Sequence, residues 1–132
     1  MIPIEHNIAV TLARINRAAD SYDRKRSTIS LLAVSKKQTV EAIQAAVAAG
    51  LIDFGENYLQ EAEQKIQQLH ALNLSWHYIG GIQSNKTQTI ARLFALFEYT
   101  TGDAVCGFSR RNNEIFPFNV LEFIKTVFLN NY

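Results

Sequence analysis

Lys36 closes the apolar run LLAVSK, and a second lysine, Lys37, stands directly behind it. An amine enclosed by apolar strand ends is costly to charge, so its neutral fraction rises and it can attack an aldehyde to form a Schiff base. Local sequence alone favours the plainer reading, a strand-end lysine whose head snorkels to solvent. Lys37 belongs to the start of the following loop, where solvation is easier. In FGENY, residues 54 to 58, Gly55 permits a turn or a close ligand approach. Asn57 either orients a ring or hydroxyl or caps the next helix, and both readings stand open. Glu56 reads as a helix-start residue that complements the dipole, and Tyr58 as a packing residue.

WHYIGG, residues 76 to 81, sets His77 and Ile79 on one side of a strand and Trp76 and Tyr78 on the other. No Ser or Cys with a fixed relation to His77 can be named, so a triad is not supported. Gly80 and Gly81, followed by QSNKT, bring backbone amides to a helix start, which suits an anion. The segment nevertheless lacks both GxxxxGK[ST] and GxGxxG, and its plain reading is a tight loop before a capped helix. His6 and His70 fall on helical segments without partners at ligand spacing and are assigned to the surface. Cys106 is an incidental thiol in an irregular region.

Elements must bring these residues together. Ile4, Ile8, Leu12, Ile15 and Ala19 recur every three or four positions, which predicts an amphipathic helix ending near SYDRKRS. TISLLAVSK is apolar without alternation, as in a parallel strand buried on both faces. Thr39 is placed to cap a helix through VEAIQAAVAA, with Glu41 in its first turn and Gly50 as its C′ residue. LIDFGEN reads as a strand and YLQEAEQKIQQLHAL as a helix presenting Tyr58, Ala62, Ile66 and Leu69. LSWHYIGG follows as a strand, SNKTQTIARLFAL as a helix that Ser84 or Asn85 would cap, and LFEYTT as a fourth strand.

Lys36, Asn57 and Gly80 lie 21 and 23 residues apart, the spacing of successive βα units with short loops. Alternating strands and helices imply an α/β fold with a parallel sheet, either doubly wound or a (β/α)₈ barrel. Ligands of both architectures sit at the carboxyl ends of the strands, where all three residues fall. After Gly102 the period fades, and Pro117 leads into FNVLEFIKTVFLNNY, a strand or short helix.

The bulk numbers narrow the class. The chain has 132 residues, 48% hydrophobic and 19% charged, which suits one domain. A net charge of +1 carries no basic footprint, so neither nucleic acid nor a membrane surface is an expected partner. A single cysteine excludes an intrachain disulfide, no Cys/His cluster has zinc spacing, and no signal or membrane span is legible. A cytoplasmic location is the expectation.

Taken together, LLAVSK at 31 to 36, FGENYLQE at 54 to 61 and WHYIGGIQSNK at 76 to 86 resemble the pyridoxal phosphate homeostasis protein family, whose fold is similar to the barrel domain of alanine racemases. The resemblance runs from about residue 5 to about residue 100. It implies a (β/α)₈ TIM-type barrel of which this chain holds three to four βα units, an N-terminal helix and an irregular tail. Residues 1–132 would form a single incomplete barrel domain, family-like over 1–100 and divergent over 101–132. It implies pyridoxal 5′-phosphate held as an aldimine on Lys36, with Asn57 and His77 near the cofactor. The family is regarded as non-catalytic, acting in cofactor homeostasis.

The resemblance also implies that the phosphate is held mainly by late segments not found in this sequence. PFNVLEFIKTV at 117 to 127 is similar to the family's middle strand, PLNVLIQVN, but departs from it after Leu121. A truncated or frame-altered member with impaired binding is therefore expected, with self-association through the exposed barrel edge. The alternatives are a racemase- or decarboxylase-like enzyme using the same lysine, for which no opposing acid or base can be placed, and a non-functional fragment or self-associating half-barrel.

Overall fold

Apolar residues three and four positions apart open the chain as helix α1, Ile4–Ser21, of which Ile8 and Ala19 are buried and Ile4, Leu12 and Ile15 pack against the core. The stripe drawn from sequence is the face that packs. The computed structural model describes residues 3–94, and the backbone of 96–101, 104–109 and 114–117. Strand β1, Ala33–Val34, leads to α2, Val40–Ala48, and β2, Asp53–Glu56, to α3, Leu59–Gln68. Strand β3, Ser75–Tyr78, then leads to α4, Thr87–Leu93, and strands β4, Leu96–Thr101, β5, Ala104–Ser109, and β6, Glu114–Pro117, follow.

Local chemistry sets several of these bounds. Thr39 Oγ1 accepts the Ala42 amide at 3.1 Å and so caps α2, which ends at Gly50 with φ at 99°, a backbone that glycine adopts without strain. The expected cap on the last helix is absent: Ser84–Lys86 is a 3₁₀ turn and α4 begins without a side-chain cap. β1 is shorter than TISLLAVSK suggests. It pairs only with β2 in this sheet, and a left-handed Lys37 at φ 60° turns the chain away soon after.

The strands form one sheet in sequential order, parallel from β1 to β4 and antiparallel from β4 to β6. An irregular region over 101–132 is thus corrected for 104–109 and 114–117, including the backbone of Cys106. Thr101 pairs with Ala104, leaving only Gly-Asp between them, and Gly-Asp between β-forming runs is a hairpin signal that needs no helical crossover. The expected strand or helix after Pro117 lies outside the described residues.

Ala33, Phe54 and Trp76 are cross-strand neighbours on one face of the sheet. The Phe54 and Trp76 rings stand 5.8 Å apart, and side chains of all four helices join them, among them Ile8, Ile43, Ala62 and Ile90. That burial is the main favourable term in folding. No helix among the described residues is long and apolar enough to cross a membrane, and none of their His, Cys, Asp and Glu side chains cluster as a metal site would require.

Candidate functional site

β1, β2 and β3 end at Val34, Glu56 and Tyr78, so Lys36, Asn57 and Gly80 follow their carboxyl ends by two, one and two residues. Val34 sits beside Gly55, and Gly55 beside His77, in a row on the face opposite Phe54 and Trp76. A Cβ on Gly55 would lie 3.2 Å from Ile79 Cδ1 and 3.5 Å from a Leu32 methyl, so both side chains close over this row. Asn57, directly after β2, continues this row, whereas Lys36 lies in the turn that the Gln38 amide closes on the Ser35 carbonyl at 3.0 Å, two residues past the end of β1.

Lys36 is half-buried, whereas Lys37 is exposed. His77 is buried, with Nε2 3.0 Å from Asp53 Oδ1 on the neighbouring strand. Asn57 does not cap α3, whose N-cap is Tyr58 with no side-chain bond. Its Oδ1 is instead buried without a hydrogen-bond partner. Leaving such an oxygen unpaired costs about 1–3 kcal/mol, so the position is one that a donor from outside the chain would improve. Tyr58 is 47% exposed, contrary to its expected packing, because it precedes the helix whose face begins at Ala62. His6 and His70 are exposed, as their isolated helical positions suggest.

Gly80 is required by space. A Cβ there would come within 2.6 Å of the Asn57 carbonyl oxygen and 3.0 Å of Asn57 Cα, so the loop after β3 crosses directly over Asn57. The Tyr78 hydroxyl donates to the Gly81 carbonyl at 3.0 Å and ties that loop to the strand.

Sequence reasoning missed a buried polar cluster beneath Lys36. Glu56 is not a helix-start residue: it is the last residue of β2, fully buried, and accepts from Lys65 Nζ at 2.7 Å and Ser35 Oγ at 2.6 Å through Oε1. Lys65 is itself 4% exposed and also donates to Glu61 Oε1 at 2.6 Å and to the Ser35 carbonyl at 2.7 Å. Two signals were present. Glu56 follows Phe54 by two and shares its face, and Lys65 falls on the stripe of Ala62 and Leu69, with Glu61 four residues ahead.

Burial pushes the Glu56 carboxyl above its ordinary 4.5, against the opposing pulls of Lys65 and Ser35. The folded state then holds this proton more tightly than the unfolded chain. Its contribution to stability is full below pH 4.5 and is lost as pH rises through the raised value. Thermal denaturation between pH 4 and pH 8 should show the protein losing stability relative to Glu56→Gln as pH rises. Parallel curves for the two proteins would show that ionising Glu56 costs the fold nothing.

The sheet is parallel from β1 to β4, and a lysine, an unpaired amide oxygen and a glycine loop follow the carboxyl ends of its first three strands, the end at which barrels and doubly wound folds place their ligands. No family model matches the chain. Over 94 residues, 71% of its length, it is 54% identical to the pyridoxal phosphate homeostasis protein of Pseudomonas aeruginosa, and it is 44% identical over 97 residues to that of Escherichia coli. Over these stretches the chain is a homologue of the pyridoxal phosphate homeostasis proteins. It spans about two fifths of the length of these relatives, 41% and 42%.

Among solved structures, PipY of Synechococcus elongatus PCC7942 with PLP bound is 39% identical, with a TM-score of 0.51 over 61% of this chain and 39% of that one. An unknown protein from Bifidobacterium adolescentis is 28% identical, with a TM-score of 0.64 over 72% of this chain and 43% of that one.

Proposed function

We propose that this chain binds pyridoxal 5′-phosphate without catalysis, as a carrier or regulator of the cofactor's supply, and holds it as an aldimine on Lys36. The observation that carries this reading is the half-buried Lys36 just past the carboxyl end of β1, together with the buried, unpaired Asn57 Oδ1 just past that of β2. The cofactor brings an aldehyde, which condenses with a primary amine and releases water. These residues fit such a group: Lys36 supplies the amine, Asn57 an unused acceptor for a ring or hydroxyl donor, and His77 a wall of the same row. PLP in the related PipY structure and the names of the curated relatives support the assignment.

The sheet is read as a segment of a (β/α)₈ wall. Its parallel strands run in sequential order and all four helices join one cluster on one face, whereas a doubly wound sheet is covered on both and reverses its strand order. As the resemblance places the phosphate-holding segments late in the family fold, these 132 residues alone are expected to bind weakly and to self-associate through the free sheet edge.

Titration of the purified chain with pyridoxal phosphate should produce an aldimine absorption band that Lys36→Ala abolishes. Borohydride reduction followed by peptide mass spectrometry should place the adduct on Lys36. An undiminished band in the variant would remove Lys36 from the proposal.

A further inference from the structure

Lys65 Nζ has three hydrogens and meets three acceptors: the Ser35 carbonyl, Glu56 Oε1 and Glu61 Oε1. Two of these contacts bear on Lys36 from opposite sides. The Ser35 carbonyl belongs to the peptide group just before Lys36. Glu61 Oε1 also accepts the amide of Lys37, which belongs to the peptide group just after it.

Peptide groups are planar, so anchoring the one before and the one after a residue leaves its φ and ψ little freedom. Ser35 is held further by its amide, which donates to the Gly55 carbonyl at 2.9 Å, and by its hydroxyl on Glu56. Lys37 is kept at φ 60°, a conformation a lysine adopts only where its surroundings over-determine it. The cluster therefore does more than neutralise a buried carboxyl.

We propose that Glu61 and Lys65 are positioning residues for Lys36, clamping the backbone on both sides of it so that its amine is presented at the carboxyl end of the sheet. This rests on the reading of Lys36 as the reacting amine, whose neutral nitrogen forms a double bond to an aldehyde carbon and gives up both its hydrogens to the carbonyl oxygen, which leaves as water. Neither Glu61 nor Lys65 takes part in that exchange.

Glu61 is the residue to test, because its side chain is partly exposed and its loss spares the buried Lys65 to Glu56 pair. Glu61→Ala removes both the charge and the acceptor for the Lys37 amide, whereas Glu61→Gln keeps an acceptor. With folding checked by circular dichroism, two rates are followed at Lys36 by peptide mass spectrometry. One is borohydride-trapped adduct formation with pyridoxal phosphate; the other is acetylation by acetic anhydride across pH, which needs no cofactor.

Glu61→Ala should slow adduct formation by about tenfold, the scale of a sub-ångström loss of alignment, and should alter the acetylation profile. Glu61→Gln should restore most of both. An alanine variant with unchanged rate and profile would overturn the clamp, and a glutamine variant behaving like alanine would assign the effect to charge instead. Absence of any pyridoxal phosphate adduct in the unaltered chain, with an acetylation profile that still responds to Ala and recovers in Gln, would sink the cofactor reading and leave the clamp standing.

Discussion

Lys65→Met should destabilise the fold by roughly 3–5 kcal/mol, measured by urea denaturation, and the loss should be larger at pH 8 than at pH 5. Methionine keeps much of the stem of Lys65 and its packing, so the change is concentrated on the ammonium. Three acceptors each lose a charged donor at once: Glu56 Oε1, Glu61 Oε1 and the Ser35 carbonyl. Glu56 is the severe case, because it is fully buried and its other oxygen has no partner already. At pH 5 the carboxyl can take up a proton instead of standing charged in the core, which limits the cost. At pH 8 that escape is narrower. Against a typical domain stability of about 5–15 kcal/mol, such a loss is a large share, and one below about 1 kcal/mol would mean that water reaches the cluster.

A double variant separates stability from position. Replacing both Lys65 and Glu56 by methionine removes the buried charges together, and buried ion pairs replaced by apolar side chains are often neutral or better in stability. Much of the single-variant loss should therefore return. What cannot return is the bond from Lys65 to the Ser35 carbonyl, so a recovered fold with a slow Lys36 is the combination that distinguishes a positioning cluster from a stabilising one.

The sequence made the alternation of elements plain because each helix carries its own period and Thr39 and Gly50 carry their own turn chemistry. The strand ends were legible for the same reason, and with them the shared level of Lys36, Asn57 and Gly80. Contacts between elements were not. Glu56, nine residues before Lys65, reads from sequence as a helix-start residue, since a charge at a core position declares itself only when its partner is also placed there. Asn57 illustrates the opposite failure. A helix cap was as good a reading as a ligand contact until α3 took Tyr58 as its N-cap position and left Asn57 Oδ1 unpaired.

Gly80→Ala should cost about 1–3 kcal/mol, whereas Gly81→Ala, one residue later, should stay within about 0.5 kcal/mol of the unaltered protein. The two glycines are adjacent and neither has the positive φ that would strain an alanine, so backbone freedom does not separate them. Space does. A Cβ at Gly81 meets nothing within 4 Å, while one at Gly80 comes within 2.6 Å of the Asn57 carbonyl oxygen and 3.0 Å of its Cα. Those atoms are backbone, held by the helix that begins after them, and cannot swing aside as a side-chain end would. The strain must move the loop after β3 or Asn57 itself, so Gly80→Ala should also weaken pyridoxal phosphate binding beyond any effect of Gly81→Ala. Equal denaturation midpoints for the two variants would mean that the loop does not cross Asn57 as closely as described, and the unpaired Oδ1 beneath it would then be open to water rather than waiting for a donor.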